Sequence, residues 1–383
     1  MSSSGPIYLD CNATTPIDPE VLDEVIHFMR DEYGNAGSRT HTFGQRAKER
    51  VNRAREEVAA GASAKPDEVI FTSGATESNN LAILGLEQYA RQTGRQHIVT
   101  TAIEHKAVLE PVERLQERGF DVTIVAPEGN GRVSADAIAE AIRPDTVLVS
   151  VMAANNETGA IQPVGEVARA LEGHDAFFHV DAAQAFGKVA NIMSDPRIDL
   201  ISVSGHKLYA PKGIGALIMR RRGYRRTPLT PLLVGGGQER GLRPGTLPVA
   251  LIAGLGTAVT SALRQQRERA ARNVEMRSGL IEALAPLNIQ INGSLENTLA
   301  TTLNFSVPGV DGEAAILALK DVVAVSNGSA CTSQSYEPSH VLTAMRLDDD
   351  TVHGAIRVSW SHLTHQPNWE VLSDRLSRLS TNT

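Results

Sequence analysis

The stretch Ile201-Ser202-Val203-Ser204-Gly205-His206-Lys207 runs from an apolar strand through a polar turn to a single lysine. One strand earlier the apolar run Phe177-Phe178-His179-Val180 ends in Asp181 and continues into Ala182-Ala183-Gln184, with a carboxylate where the later run has an amine. On adjacent strand ends these two groups form a pair that pyridoxal phosphate needs. The amine of Lys207 can carry the cofactor as a Schiff base, and the carboxylate of Asp181 can keep the pyridine nitrogen protonated so that the ring absorbs a carbanion's electrons. Alone, each would read as a surface lysine or a turn aspartate.

Outward from this pair the chain alternates short apolar runs with helical stretches. Strands are expected at Glu68-Val69-Ile70-Phe71, Ile98-Val99-Thr100-Thr101, Val122-Thr123-Ile124-Val125, Val147-Leu148-Val149-Ser150-Val151, the two runs above, and Ile214-Gly215-Ala216-Leu217-Ile218. Such alternation is the signature of an α/β fold with a mainly parallel sheet covered on both faces, whose ligands bind at the carboxyl ends of the strands. Near the start, a helix from Pro19 to near Gly34 and an amphipathic helix over 45–60 are expected, the latter with Ala47, Val51, Ala54 and Val58 on one side. A long helical region over 248–284, rich in small residues, leads out of a large domain spanning 1–260. A smaller α+β domain, 261–383, follows, with strands at Ile289-Gln290-Ile291, 302–307, 322–325 and 356–360.

The polar residues at strand ends suggest a site. Ser73-Gly74-Ala75-Thr76-Glu77-Ser78 follows a strand and opens a helix, so the amides around Ala75 and the Thr76 hydroxyl can bind a phosphate, with Ser204 and His206 as further donors. Ile103-Glu104-His105-Lys106 puts an imidazole where it could lie on a pyridine ring and exchange protons. Asn156, within Asn155-Asn156-Glu157-Thr158-Gly159, suits the cofactor's phenolic oxygen. The glycine-rich loop 235–241 lacks the ending of a nucleotide P-loop and leads to Arg243 and Thr246. Ser204 and Lys207 match the Ser-x-x-Lys spacing of serine β-lactamases, but the companion motifs are missing. In the smaller domain, Ser326-Asn327-Gly328-Ser329-Ala330-Cys331-Thr332-Ser333-Gln334-Ser335 is a polar loop carrying one of only two cysteines. A thiol on such an arm can reach a bound substrate as thiolate, accept a group and carry it away. Arg357 stands in an apolar strand, where either a substrate carboxylate or a structural salt bridge would justify its burial.

The composition narrows the alternatives. The 383 residues carry 37 basic and 44 acidic side chains, a net charge of −7, which argues against a broad nucleic-acid or anionic-membrane surface. The local exception is Arg220-Arg221-Arg222-Gly223-Tyr224-Arg225-Arg226, read as a solvated loop or a dock for an acidic partner. Cys11 and Cys331 cannot make a disulfide framework, no zinc-site spacing is present, and the N-terminus has no signal-peptide character, so a cytoplasmic, metal-free protein is expected.

Taken together these motifs resemble the cysteine desulfurases of the NifS/IscS type, within the fold-type I pyridoxal-phosphate enzymes, from about residue 8 to residue 357. The resemblance rests on Thr-Ser-Gly-Ala-Thr-Glu-Ser-Asn-Asn at 72–80, Glu-His-Lys at 104–106, His-Val-Asp at 179–181, Ser-Gly-His-Lys at 204–207, Arg-x-Gly-Thr at 243–246 and Gly-Ser-Ala-Cys at 328–331. It implies that His105 stacks on the cofactor and carries protons, that Asn156 and Gln184 hold the phenolic oxygen, and that Thr246 reaches the phosphate from the partner subunit of a homodimer. Asn35, Asn156 and Arg357 would hold the substrate. L-cysteine would yield L-alanine, with its sulfur taken by Cys331 as a persulfide for an acceptor protein. The chain as a whole is most similar to the desulfurases of bacterial DNA phosphorothioation, which implies an iron-sulfur protein as acceptor. A selenocysteine lyase or another aminotransferase-like reaction would use Lys207 and Asp181 but not need Cys331. Departures from the pattern fall at Cys11-Asn12, Ala36-Gly37, Pro244, Asn327 and Ser361-His362.

Overall fold

The computed structural model describes residues 5–327 and 338–380. After the short strand β1 (Ile7–Tyr8), helix α1 (Pro19–Arg30) starts at Asp18, whose side chain accepts from the amide of Glu20 at 3.2 Å, with Pro19 in the first turn. Helix α2 (Thr42–Ala60) buries Ala47, Val51, Ala54 and Val58, the face its periodicity predicts. Then come β2 (Val69–Thr72), α3 (Ala75–Leu84), α4 (Glu87–Thr93), β3 (His97–Thr101), α5 (Lys106–Glu117), β4 (Asp121–Val125), α6 (Ala135–Ala141), β5 (Thr146–Ser150), α7 (Val164–Ala170), β6 (Phe177–Asp181), β7 (Leu200–Ser204) and β8 (Gly215–Met219).

These strands form one seven-stranded sheet in the order β2-β8-β7-β6-β5-β3-β4. The pairs β3/β4, β3/β5, β5/β6 and β6/β7 are parallel. Only β8 runs against its neighbours, antiparallel to both β7 and β2. The carboxyl ends of β2, β3, β5, β6 and β7 therefore share one edge, and the amino end of β8 joins them there. The central strands are buried on both faces, as their unbroken apolar runs require. Inside the sheet the His179 ring is bonded to Ser150 Oγ at 2.8 Å and Ser202 Oγ at 2.9 Å, tying β5, β6 and β7 across one face.

The helical region read as one run is two helices, α8 (Val249–Arg264) and α9 (Gln266–Leu284), which meet at Gln265. Helix α8 lies against α1 and α2, and its small residues are what permit the approach. A Cβ on Gly256 would meet the backbone of Ala54 at 2.8 Å, and one on Gly254 would meet the side chain of Val25. From Met276 onward α9 feeds a separate apolar core with Leu9, Phe305, Ile356, Trp360 and Leu376. There β9 (Gln290–Ile291), β10 (Thr302–Ser306) and, after α10 (Gly312–Leu319), β11 (Val323–Ala324), α11 (His340–Ala344) and α12 (Asp349–His353), β12 (Ala355–Ser359) complete the strands, before α13 (Trp369–Ser380). The three-stranded sheet has the order β12-β10-β9 and is antiparallel. Strand β11 does not join it but pairs in parallel with β1, so the N-terminal segment belongs structurally to the second core. Among the described residues no helix is long and apolar enough to cross a membrane.

Candidate active site

A cavity of about 580 Å³ opens at the shared strand edge, lined by Ala75, Thr76, His105, Asn156, Asp181, Gln184, Ser204, His206 and Lys207, each singled out above. Each is brought there by one strand end: α3 follows β2, His105 caps α5 after β3, Asn156 follows β5, and Asp181 and Ser204 close β6 and β7. Asn12, Ala13, Asn79, Lys212 and Gly213 are also in the lining, none of them assigned a role from the sequence alone.

Asp181 is 4% exposed, and its two oxygens are held separately, Oδ2 by Asn79 Nδ2 at 2.8 Å and Oδ1 by the amide of Ala183 at 2.9 Å. Lys207 Nζ donates to the carbonyls of Asn12 and, at 2.6 Å, Ala13, so the N-terminal segment fixes the amine. Gln184 Nε2 donates to the same Asn12 carbonyl at 3.0 Å. The Asn12 side chain reaches across to the Asn156 carbonyl and Thr302 Oγ1, each at 2.9 Å, which binds the site to the second core.

His105 has a defined ring state. Its Nδ1 accepts from the amide of Ala107 at 3.0 Å, closing the N-terminus of α5. A backbone amide can only donate, so Nδ1 carries a lone pair and the hydrogen of the neutral ring sits on Nε2. Burial, together with the charges of Lys207 and His340, lowers its proton affinity, and Asp181 acts the other way. His206 is pushed down to about 4 by burial and by Lys207, Lys212 and Lys188, which leaves it a neutral partner for Thr14 Oγ1 at 3.2 Å. Glu104, next to His105, is fully buried and pushed up to about 8, chiefly by burial. The Met152 amide at 2.7 Å and Thr101 Oγ1 at 2.9 Å both bond its Oε1.

A family model described as aminotransferase class-V matches residues 7–372. The chain belongs to that family. Within it, the cysteine desulfurase IscS of Methylococcus capsulatus is 45% identical over 98% of this chain and 93% of its own length. The crystal structure of DndA from Streptomyces lividans superposes with a TM-score of 0.82 at 50% identity, covering 92% of this chain and 99% of that one. SspA, solved in complex with cysteine, gives 0.81 at 37% identity, covering 92% and 98%. The fold is accordingly that of the fold-type I pyridoxal-phosphate enzymes, and this class-V protein is a pyridoxal-phosphate-dependent desulfurase.

The cavity of this class-V enzyme fits that cofactor. Gly74 precedes α3 without a capping side chain among the described residues, and Gly74, Ala75 and Thr76 line the cavity, so the free first-turn amides offer the donors a phosphate site requires. At the opposite end the clamped carboxylate of Asp181 suits a protonated ring nitrogen, and Lys207 lies in the same cavity.

Three expected site residues do not line this cavity. Asn35 is exposed, its Oδ1 accepting from the amide of Gly37 at 2.8 Å. Thr246 is exposed as well. Arg357 is 1% exposed, with Nη2 bonded to Asp10 Oδ1 at 2.5 Å and Nη1 to the Asn156 carbonyl at 3.1 Å, one bond away from a lining residue. Cys331 lies outside the described residues. The arginine cluster divides: residues 223–226 form an exposed turn, as a solvated loop would, whereas Arg220 is buried and donates to the carbonyls of Asp195, Ile198, Ala62 and Met193. Arg222 pairs with Asp199 and covers the Phe177 ring, and Arg221 pairs with Asp67.

Proposed function

We propose that this desulfurase converts L-cysteine to L-alanine, takes the sulfur onto Cys331 as a persulfide and passes it to an acceptor protein. The observation that carries the reading is the convergence of Lys207, the clamped Asp181 and the neutral His105 in one cavity. The bound cofactor supplies an electron sink for negative charge at the substrate's α-carbon. Asp181 holds the ring nitrogen, with Asn79 and Ala183 fixing its direction. Ala75, Thr76, Ser204 and His206 bind the phosphate, and Asn156 and Gln184 hold the phenolic oxygen. Lys207 removes the α-proton and returns one. His105 covers the ring and presents Nε2–H to the substrate side. The Cys331 thiolate then attacks the substrate sulfur: the S–S bond forms as the Cβ–S bond breaks, and the electron pair stays with the carbon skeleton, which takes up protons and leaves as alanine. Asn35 and Arg357 hold the substrate carboxylate, which requires Arg357 to exchange part of its bonding to Asp10 for the substrate.

The protein acts as a homodimer in the cytoplasm, with Thr246 serving the phosphate of the partner's site; its exposure away from its own cavity supports that assignment. We assign the sulfur to DNA phosphorothioate modification through an iron-sulfur protein. The support is the 50% identity to DndA, whereas the IscS relative favours a general sulfur donor. Alanine and sulfide measured together from L-cysteine with reductant test the reaction: equal yields from the wild type and neither from Cys331→Ser are expected. Alanine released at the wild-type rate by Cys331→Ser would replace this reading with a direct lyase. For the pathway, cells carrying Cys331→Ser should lose phosphorothioate linkages from their DNA while iron-sulfur enzymes keep their activity; a loss of those enzyme activities would favour the general donor.

A further inference from the structure

Seven residues beyond Asp181, Lys188 is partly buried in the run of turns that follows β6. Its Nζ lies 3.4 Å from Gln184 Oε1; the other end of that amide donates to the Asn12 carbonyl at 3.0 Å, the carbonyl to which Lys207 Nζ also donates. Two amines are thus joined through one side-chain amide and one peptide oxygen. Lys188 also borders a separate cavity of about 60 Å³, with Tyr209, Arg269, Asn273 and Thr301 in its wall. Among the described residues the buried Asn273 Oδ1 and Thr301 Oγ1 have no hydrogen-bond partner.

We propose that Lys188 is a positioning residue for Lys207: its ammonium, held at the far end of the Gln184–Asn12 bridge, lowers the proton affinity of the Lys207 nitrogen and so keeps that nitrogen available as a base. A lysine beside a second cation, or in a desolvated site, gives up its proton more readily. Burial first, and the charge of Lys207 next, push Lys188 itself down to about 8, while Cys11 acts against this. The groups facing Lys207 are Lys188, Lys212, His105, His206 and Asp181. Those facing Lys188 are Lys207, His206, Cys11, Tyr209 and Arg269, the last paired with Asp18. Both histidines are lowered in proton affinity, and burial keeps Cys11 a thiol, so Lys188 and Lys212 are the cations left to act on Lys207. Of these two, Lys188 is the one tied to it by the bridge.

The inference rests on Lys207 being the cofactor's lysine, and its test does not depend on turnover. The visible absorbance of the resting holoenzyme is titrated with pH for the wild type, Lys188→Met and Lys188→Arg. The midpoint assigned to the Lys207 nitrogen should rise by about one pH unit in Lys188→Met and stay within a few tenths of the wild type in Lys188→Arg, which keeps the charge. Should Lys188→Met not fold, Lys188→Gln, polar and uncharged, makes the same comparison. An unchanged midpoint in the uncharged variant, or an equal rise in Lys188→Arg, overturns the proposal and leaves the desulfurase reading standing. A wild-type protein with no cofactor absorbance would instead overturn that reading.

Discussion

In its proposed role Asp181 can serve the ring nitrogen only while its carboxylate points into the cavity, and Asn79 is the side chain that holds one of its oxygens. Asn79→Ala leaves one oxygen of a 4%-exposed carboxylate without its donor. A hydrogen bond to a charged group contributes about 1.5–3 kcal/mol, so cofactor affinity should fall roughly ten- to a hundred-fold, measured by titrating the cofactor into the apoprotein. An affinity within twofold of the wild type would show that Ala183 alone suffices. The Nδ1 bond of His105 carries a second prediction: nitrogen NMR of the resting protein should find the neutral ring with its hydrogen on Nε2 at pH 7, and an Nδ1–H signal would contradict it. Lys207 and Asp181 are legible in the sequence because each stands alone at the end of an apolar run. Asn79 is harder to see, since a buried amide inside a helix announces that it needs a partner without saying which. Asn12 was hidden for a different reason: it acts partly through its backbone carbonyl, which every residue has.

Strand β8 shows what alternation does and does not reveal. Its apolar run marks it as a strand, but its reversed direction follows from a connection whose path the pattern does not contain. That reversal brings Lys212 and Gly213 to the cofactor edge. It also presses Gly215 against the turn before α3, where an added Cβ would be driven into the Val203 carbonyl oxygen and the backbone of Gly74. Gly215→Ala should therefore cost about 1–3 kcal/mol of stability, read from urea denaturation, and weaken cofactor binding by displacing the phosphate turn. A variant as stable as the wild type would mean that the strands yield easily. The run at 322–325 teaches the same lesson: it reads as a strand, but its partner is β1, more than three hundred residues away, rather than the sheet of its own neighbourhood. The arginine cluster was legible only in part: its exposed end is the solvated loop the pattern suggests, while buried carbonyls and Asp199 take up Arg220 and Arg222, which composition counts as free.

Two buried groups shape how the folded protein answers to pH. His179, enclosed between two serines, is pushed down to about 4, mainly by burial, so the unfolded chain binds a proton there near pH 6.5 that the folded one refuses. Its contribution is present above about 6.5 and is lost as pH falls from there toward 4. Glu104, held up at about 8, works in the other direction: its contribution is present below its unfolded pKa and is lost as pH rises through 8. Glu104→Gln should therefore flatten the change in urea midpoint between pH 5 and 8, and an unchanged profile would show that Glu104 is already ionised in the fold. The proposed reaction needs Lys207, at the edge of the large sheet, to act together with Cys331, which follows β11 in the sequence. Intact-mass and peptide analysis after one equivalent of L-cysteine, without reductant, tests that joint action most directly. The expected result is one added sulfur on the peptide containing Cys331 and one alanine released per subunit. Alanine without an added sulfur, or the sulfur on Cys11, would contradict it.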